Sequence, residues 1–139
     1  MSNKRTSLAK NKLSSNQRKY AAKLVRLQLK IKEGLISDRF PEVSKIVIRM
    51  IYSEKNSKVS MIRTVYFPPT DYAYFNMECL TKKCVDGGFN LAPKIVHLIK
   101  NHMTVGQDKL FCSTISCPAM VEYDISIYYK KRVAEFLPK

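Results

Sequence analysis

Cys79-Leu-Thr-Lys-Lys-Cys84 and Cys112-Ser-Thr-Ile-Ser-Cys117 decide how this chain is read. All 4 cysteines lie in these two segments, with equal internal spacing. Thiolate is a preferred zinc ligand, and a structural zinc site fills all its tetrahedral positions, so two short-spaced pairs are enough to close one shell. Four residues between ligands is the wide end of the usual range. Cys79, Cys84, Cys112 and Cys117 are therefore candidate ligands of a structural Zn²⁺. Two other readings stay open. Cys79 and Cys112 end apolar runs, and buried Cys packs as a small hydrophobe; a regulatory disulfide pair is the third possibility. His97 and His102 are candidate substitutes, but they are five apart on an expected helix and point in different directions, so helix-surface positions describe them better.

The length of 139 residues suits one domain with at most an appendage, and the 45% apolar fraction supports a modest core. No run of about 18 apolar residues exists, so no transmembrane segment is expected. The first residues are polar and basic rather than signal-like, which makes a cytoplasmic location the default and favours metal ligands over disulfides. Organellar import stays open, because the same segment is basic, Ser-rich and acid-free.

The net charge of +14 is uneven. Ten cations and no acid fall before residue 33: Lys4, Arg5, Lys10, Lys12, Arg18, Lys19, Lys23, Arg26, Lys30 and Lys32. The other 15 basic and 11 acidic residues nearly cancel. Such an arm attracts polyanions: nucleic acid first, an anionic membrane surface second, an acidic protein third. A merely solubilising tail is the bland alternative.

Residues 1–15 lack periodicity and are expected to be disordered when free. Tyr20, Leu24, Leu27, Ile31 and Leu35 then recur at helical spacing, with Ser14 or Ser15 as a start cap and Gly34 as the stop. The simple expectation is that this stripe packs on the domain while the Lys/Arg face meets water. Val43 to Tyr52 and Val59 to Phe67 predict a hairpin, ended by Pro68-Pro69. Tyr72 to Cys79 alternates as a third strand. Asp86-Gly87-Gly88 predicts a tight turn through positive φ. Asn90 is expected to cap a helix carrying Leu91, Ile95, Leu98 and Ile99 on one stripe, with Pro93 in its first turn. Gly106-Gln-Asp reads as a turn, Lys109 to Cys112 as a short strand, and Ala119 to Tyr129 as a strand with Val121, Tyr123, Ile125 and Ile127 inward. Val133, Phe136 and Leu137 suggest a final helical turn. The expected fold is α+β: an antiparallel sheet with one packed helix, a four-cysteine clamp, and a basic N-terminal helix. The organisation is 1–35 as basic arm and amphipathic helix, and 36–139 as the zinc-stabilised domain.

Four thiolates leave no open coordination position, so the zinc is structural and no catalytic residue is assigned. There is no phosphate loop, zinc-protease motif or nucleophile elbow. Asp71, Glu78, Asp86 and Asp108 would have to converge for a metal-dependent nuclease, and their spacing does not ask for it. Tyr52, Tyr66, Tyr72, Tyr74, Tyr123, Tyr128 and Tyr129 on sheet segments could stack bases, although at least half are expected in the core or at sheet edges. No sequence-specific nucleic-acid motif is present.

Glu78-Cys79-x4-Cys84-Val-Asp-Gly87-Gly88-Phe89-Asn-Leu91, with Cys112, Cys117 and Glu122-Tyr123-Asp-Ile125, resembles small uncharacterised bacterial proteins with the same cysteine pairs. The resemblance covers about Tyr72 to Tyr129 and implies a zinc-ribbon-like module without any activity. The leading expectation is a non-enzymatic nucleic-acid-binding protein, RNA ahead of DNA, held by the basic arm. The rival is a protein-interaction adaptor that docks through the helix at 16–35.

Overall fold

The computed structural model describes residues 14–54, 58–80, 84, 87–114 and 117–131. Its elements in chain order are α1 (Ser15–Glu33), α2 (Ile36–Arg39), β1 (Val43–Glu54), β2 (Lys58–Phe67), β3 (Asn76–Glu78), β4 (Gly88–Asn90), α3 (Ala92–Lys100), β5 (Val105–Phe111) and β6 (Met120–Tyr129). The architecture is α+β. Ile- and Val-rich β1 pairs with β2 on one side and β6 on the other, giving an antiparallel sheet of order β2-β1-β6-β5.

Alternation along the strands sends Ile46, Ile48, Met50 and Tyr52 of β1, and Val121, Tyr123, Ile125 and Ile127 of β6, into the core. Ile48 sits opposite both Val65 and Ile125, near the middle of the sheet. Helix α3 covers this face with buried Ile95, Leu98 and Ile99. Phe75 meets Phe67 edge-on at 5.4 Å, and Phe89 meets Tyr52 at 5.9 Å. On the opposite face Ile62, Tyr66, Phe111 and Tyr128 are exposed.

Four expectations about the middle of the chain are corrected. The alternation of Ala73, Phe75, Met77 and Cys79 is real, since all four are buried, but only Asn76–Glu78 forms a strand. It pairs with β4 in a separate two-stranded sheet. The upstream part finds other backbone partners: Ala73 N–H donates to Gly34 O at 2.7 Å, and Phe75 O accepts from Leu91 N–H at 3.0 Å. These bonds satisfy the extended chain without a ladder.

Gly106 lies inside β5 instead of in a turn. A Cβ there would come within 2.7 Å of Leu98 Cδ1, so glycine admits the close approach of α3. β5 accordingly starts well before Lys109, and the preceding turn falls at 101–104. His102 therefore lies in that turn, not on the helix. It adopts a positive φ of 52° and stacks on Tyr129 with ring centroids 4.0 Å apart. Asn90 is not the N-cap position, which belongs to Leu91. Asn90 Oδ1 still accepts from Ala92 N–H at 3.1 Å, so it satisfies an orphan donor from one residue earlier.

Helix α1 begins with a reciprocal capping box. Ser14 Oγ accepts from Gln17 N–H at 3.1 Å, and Ser14 N–H donates to Gln17 Oε1 at 2.9 Å. Gly34 ends the helix at φ 81°, where its N–H meets the Lys30 and Ile31 carbonyls. Only the last member of the stripe packs on the domain: Leu35 is half-buried and forms a β-bridge with Tyr72. Tyr20, Leu24, Leu27 and Ile31 are 66%, 46%, 48% and 58% exposed. The half-buried positions of residues 16–33 are Ala22 and Arg26. Ala22 is two residues from both Tyr20 and Leu24, a rotation of about 200° at 3.6 residues per turn, so the apolar stripe looks outward.

The expected disorder of residues 1–15 falls on positions that lie outside the described residues up to 13, as does the expected final helical turn beyond 131.

Candidate metal centre

The sheets deliver the cysteines in crossed pairs. Cys79 follows β3, Cys84 precedes β4, Cys112 follows β5 and Cys117 precedes β6. Cys79 Sγ lies 3.7 Å from Cys117 Sγ, and Cys84 Sγ lies 3.7 Å from Cys112 Sγ. All four sulfurs lie within 4.8 Å of one another. A tetrahedron with metal–sulfur bonds of about 2.3 Å has edges of about 3.8 Å. A disulfide would need about 2.05 Å, and all four thiols are free. The four cysteines are thus close enough to hold a metal ion. A tetrahedral S₄ donor set suits zinc or iron.

Backbone bonds tie the two cysteine loops together. Cys79 N–H donates to Gly87 O at 3.1 Å, Ser113 N–H to Gly88 O at 3.0 Å, and Gly88 N–H to Ser113 Oγ at 3.0 Å. Cys117 N–H closes the second loop on Thr114 O at 3.0 Å. Burial pushes the Cys84 thiol up, against its hydrogen bonds with the Thr114 side chain and the Gly87 backbone. At Cys112 burial also raises the thiol, but the Thr114 backbone N–H and the three neighbouring sulfurs outweigh it and the net direction is down. Backbone N–H groups aimed at sulfur favour the thiolate, which is the form that binds metal.

The glycines serve this site by their size. A Cβ on Gly87 would lie 2.4 Å from both Cys84 Sγ and Cys112 Sγ, and 2.9 Å from Thr114 Oγ1. A Cβ on Gly88 would lie 2.8 Å from Met77 O. Among the described residues Gly34 is the glycine with positive φ, so the expectation of positive φ at Gly87 and Gly88 is corrected. The loop needs glycine for space, not for a left-handed backbone.

Arg26 carries α1 to this centre, a contact that sequence reasoning missed. Its Nη1 donates to Glu78 Oε2 at 2.9 Å, and its Nη2 donates to Gly87 O at 3.1 Å. Gly87 O therefore accepts from both Cys79 N–H and Arg26. The only local hint was the acid beside Cys79; its partner lies 52 positions away.

Of the other candidate cations, Lys4, Arg5, Lys10 and Lys12 lie outside the described residues. Arg18, Lys19, Lys23, Lys30 and Lys32 are exposed along α1. The ion pairs among the described residues are Arg26–Glu78 and Arg39–Glu33. His97 and His102 are exposed and stand apart from the sulfurs. Asp71, Glu78 and Asp108 join no group of three or more potential ligands among the described residues, and Asp86 lies outside them.

The tyrosines divide by environment. Tyr52 and Tyr123 are buried. The Tyr129 hydroxyl donates to Met103 O at 2.7 Å. Tyr72 and Tyr74 are half-buried beside α1. Tyr66 and Tyr128 are exposed, with Lys45 Nζ 4.5 Å from the Tyr128 ring centre. No helix among the described residues is long and apolar enough to cross a membrane.

No protein-family model, curated protein or solved structure matches the chain.

Proposed function

We propose that the chain is a non-enzymatic nucleic-acid-binding protein, RNA ahead of DNA, stabilised by a structural zinc in a ribbon-like clamp. The supporting observation is the N-terminal cation series. Its members on α1, Arg26 apart, have no ion-pair partner among the described residues, so their field is not neutralised within the fold. The closed four-sulfur shell gives zinc the role of fixing the Cys79–Cys84 loop, to which Arg26 attaches the helix. Zinc is the metal proposed because four such thiolates close a structural zinc site; iron takes the same donor set, and metal analysis separates the two.

The test has two arms. Metal analysis is expected to give zinc equimolar with the chain and no visible absorption band; iron with colour would remove the zinc assignment. Deleting residues 1–32 is expected to abolish most RNA affinity. The salt slope should flatten by about 0.7 per lost single-strand phosphate contact. Unchanged affinity and slope would end the nucleic-acid reading.

The outward stripe of α1 favours a second reading, a protein-interaction adaptor. A helix that leaves Tyr20, Leu24, Leu27 and Ile31 exposed offers a contact line of i, i+4, i+7 type. Under this reading, charge-neutral replacement of Leu24, Leu27 and Ile31 by Ser matters more for partner capture than removal of lysines.

A further inference from the structure

Between α1 and β2 lies a cleft of about 410 Å³, on the side of Arg26 that faces Lys23 and Lys30. Ligand pockets typically run from about 300 to 1,000 Å³, so it has room for a nucleotide-sized group. Lys23 and Lys30 line the helix wall; Arg63, Tyr72 and Tyr74 line the opposite wall. Of the two acids lining the cleft, Glu78 is paired with a cation and Asp71 keeps its charge. Glu78 takes the Arg26 guanidinium at 2.9 Å, and Asp71 Oδ1 accepts the Tyr72 N–H at 2.8 Å. Lys23, Lys30 and Arg63 have no ion-pair partner among the described residues. Burial raises the Tyr52 hydroxyl and the neighbouring Arg63 guanidinium works against that rise.

We infer that this cleft binds an unpaired stretch of RNA. The inference rests on the nucleic-acid reading above and names the strand state it selects. Lys23, Lys30 and Arg63 outnumber the one unpaired acid of the cleft, Asp71, and so suit a phosphate backbone, and the two half-buried rings beside them suit a base. An acidic peptide would use the cations and leave the rings idle. A duplex keeps its base faces inside the stack, so only an unpaired strand can place a base against Tyr72 or Tyr74.

The test uses the full, metal-loaded chain with fluorescein-labelled oligouridine, and a duplex RNA of equal length for comparison. Tyr74→Leu is expected to weaken oligouridine binding about tenfold or more, the effect of losing one base stack. Arg63→Gln should weaken it several-fold, and both variants should leave duplex binding within about twofold. Because Tyr74 is half-buried, wild-type NMR supplies a reading that needs no mutant: its ring protons should move upfield on adding oligouridine. Equal losses on both probes, or no loss and no ring shift, would overturn the cleft while leaving arm-driven binding intact. Competition by polyglutamate as strong as by unlabelled oligouridine would overturn it in favour of an acidic peptide. Failure of wild type to bind either RNA at low salt would instead remove the nucleic-acid reading, and the cleft with it.

Discussion

Gly87→Ala separates the four-sulfur centre from an ordinary buried cysteine cluster. The added Cβ would stand 2.4 Å from both Cys84 Sγ and Cys112 Sγ. Relaxed heavy-atom contacts lie at about 3.5–4.0 Å, so each sulfur must retreat by more than about 1 Å. Metal–ligand distances tolerate only about 0.2 Å, so two ligands cannot make that retreat and stay bound. Overpacking alone costs about 1–3 kcal/mol. Losing part of the metal-binding free energy adds to it, because that free energy is also folding free energy. A total of at least about 3 kcal/mol corresponds to a fall in Tm of roughly 10 °C for a domain of this size. The assay is thermal unfolding with and without chelator, alongside metal analysis of the same samples. Gly34→Ala is the matched control. Nothing lies within 4 Å of its added Cβ, and its penalty is the φ of 81°. Its ψ of −178° places it in a backbone region essentially restricted to glycine, so the substitution should cost about 1–3 kcal/mol and the protein should keep its metal. A Gly87→Ala protein with full metal content and unchanged Tm would refute the reasoning, because the loop would then have space that the structure denies it.

Two further outcomes follow from the same geometry. Arg26→Gln removes the charged contact between α1 and Glu78, whose side chain is 42% exposed, so solvent screening keeps the global cost to about 1 kcal/mol or less. Hydrogen exchange should nevertheless accelerate across residues 15–33 with metal content unchanged; unaltered protection there would show that the helix is held by other contacts. Ile48→Ala deletes a side chain that is 0% exposed at the centre of the sheet. Denaturant unfolding should register a loss of about 2–5 kcal/mol, and a loss below about 1 kcal/mol would mean that the sheet is not the load-carrying core.

Much of this architecture can be read from local pattern. The period-two runs in β1 and β6 determine which residues enter the core, because one sheet face is buried and a one-residue slip would expose the whole set. Ser14, Gln17 and Gly34 mark the ends of α1, since caps act within a few residues of the backbone groups they satisfy. The cysteine spacing marks the candidate ligands for the same local reason. Tertiary structure decided the rest. It crossed the cysteines into Cys79–Cys117 and Cys84–Cys112 contacts, which depend on where two sheets end relative to each other. It gave Gly87 and Gly106 their roles through approaching Sγ and Leu98 atoms, which no local backbone preference records. It turned the apolar stripe of α1 outward, because helical periodicity defines a face but not the direction in which that face points. The Arg26 contact chose that direction by bringing the helix to Glu78 and Gly87, residues that are distant in the chain and adjacent only in the fold.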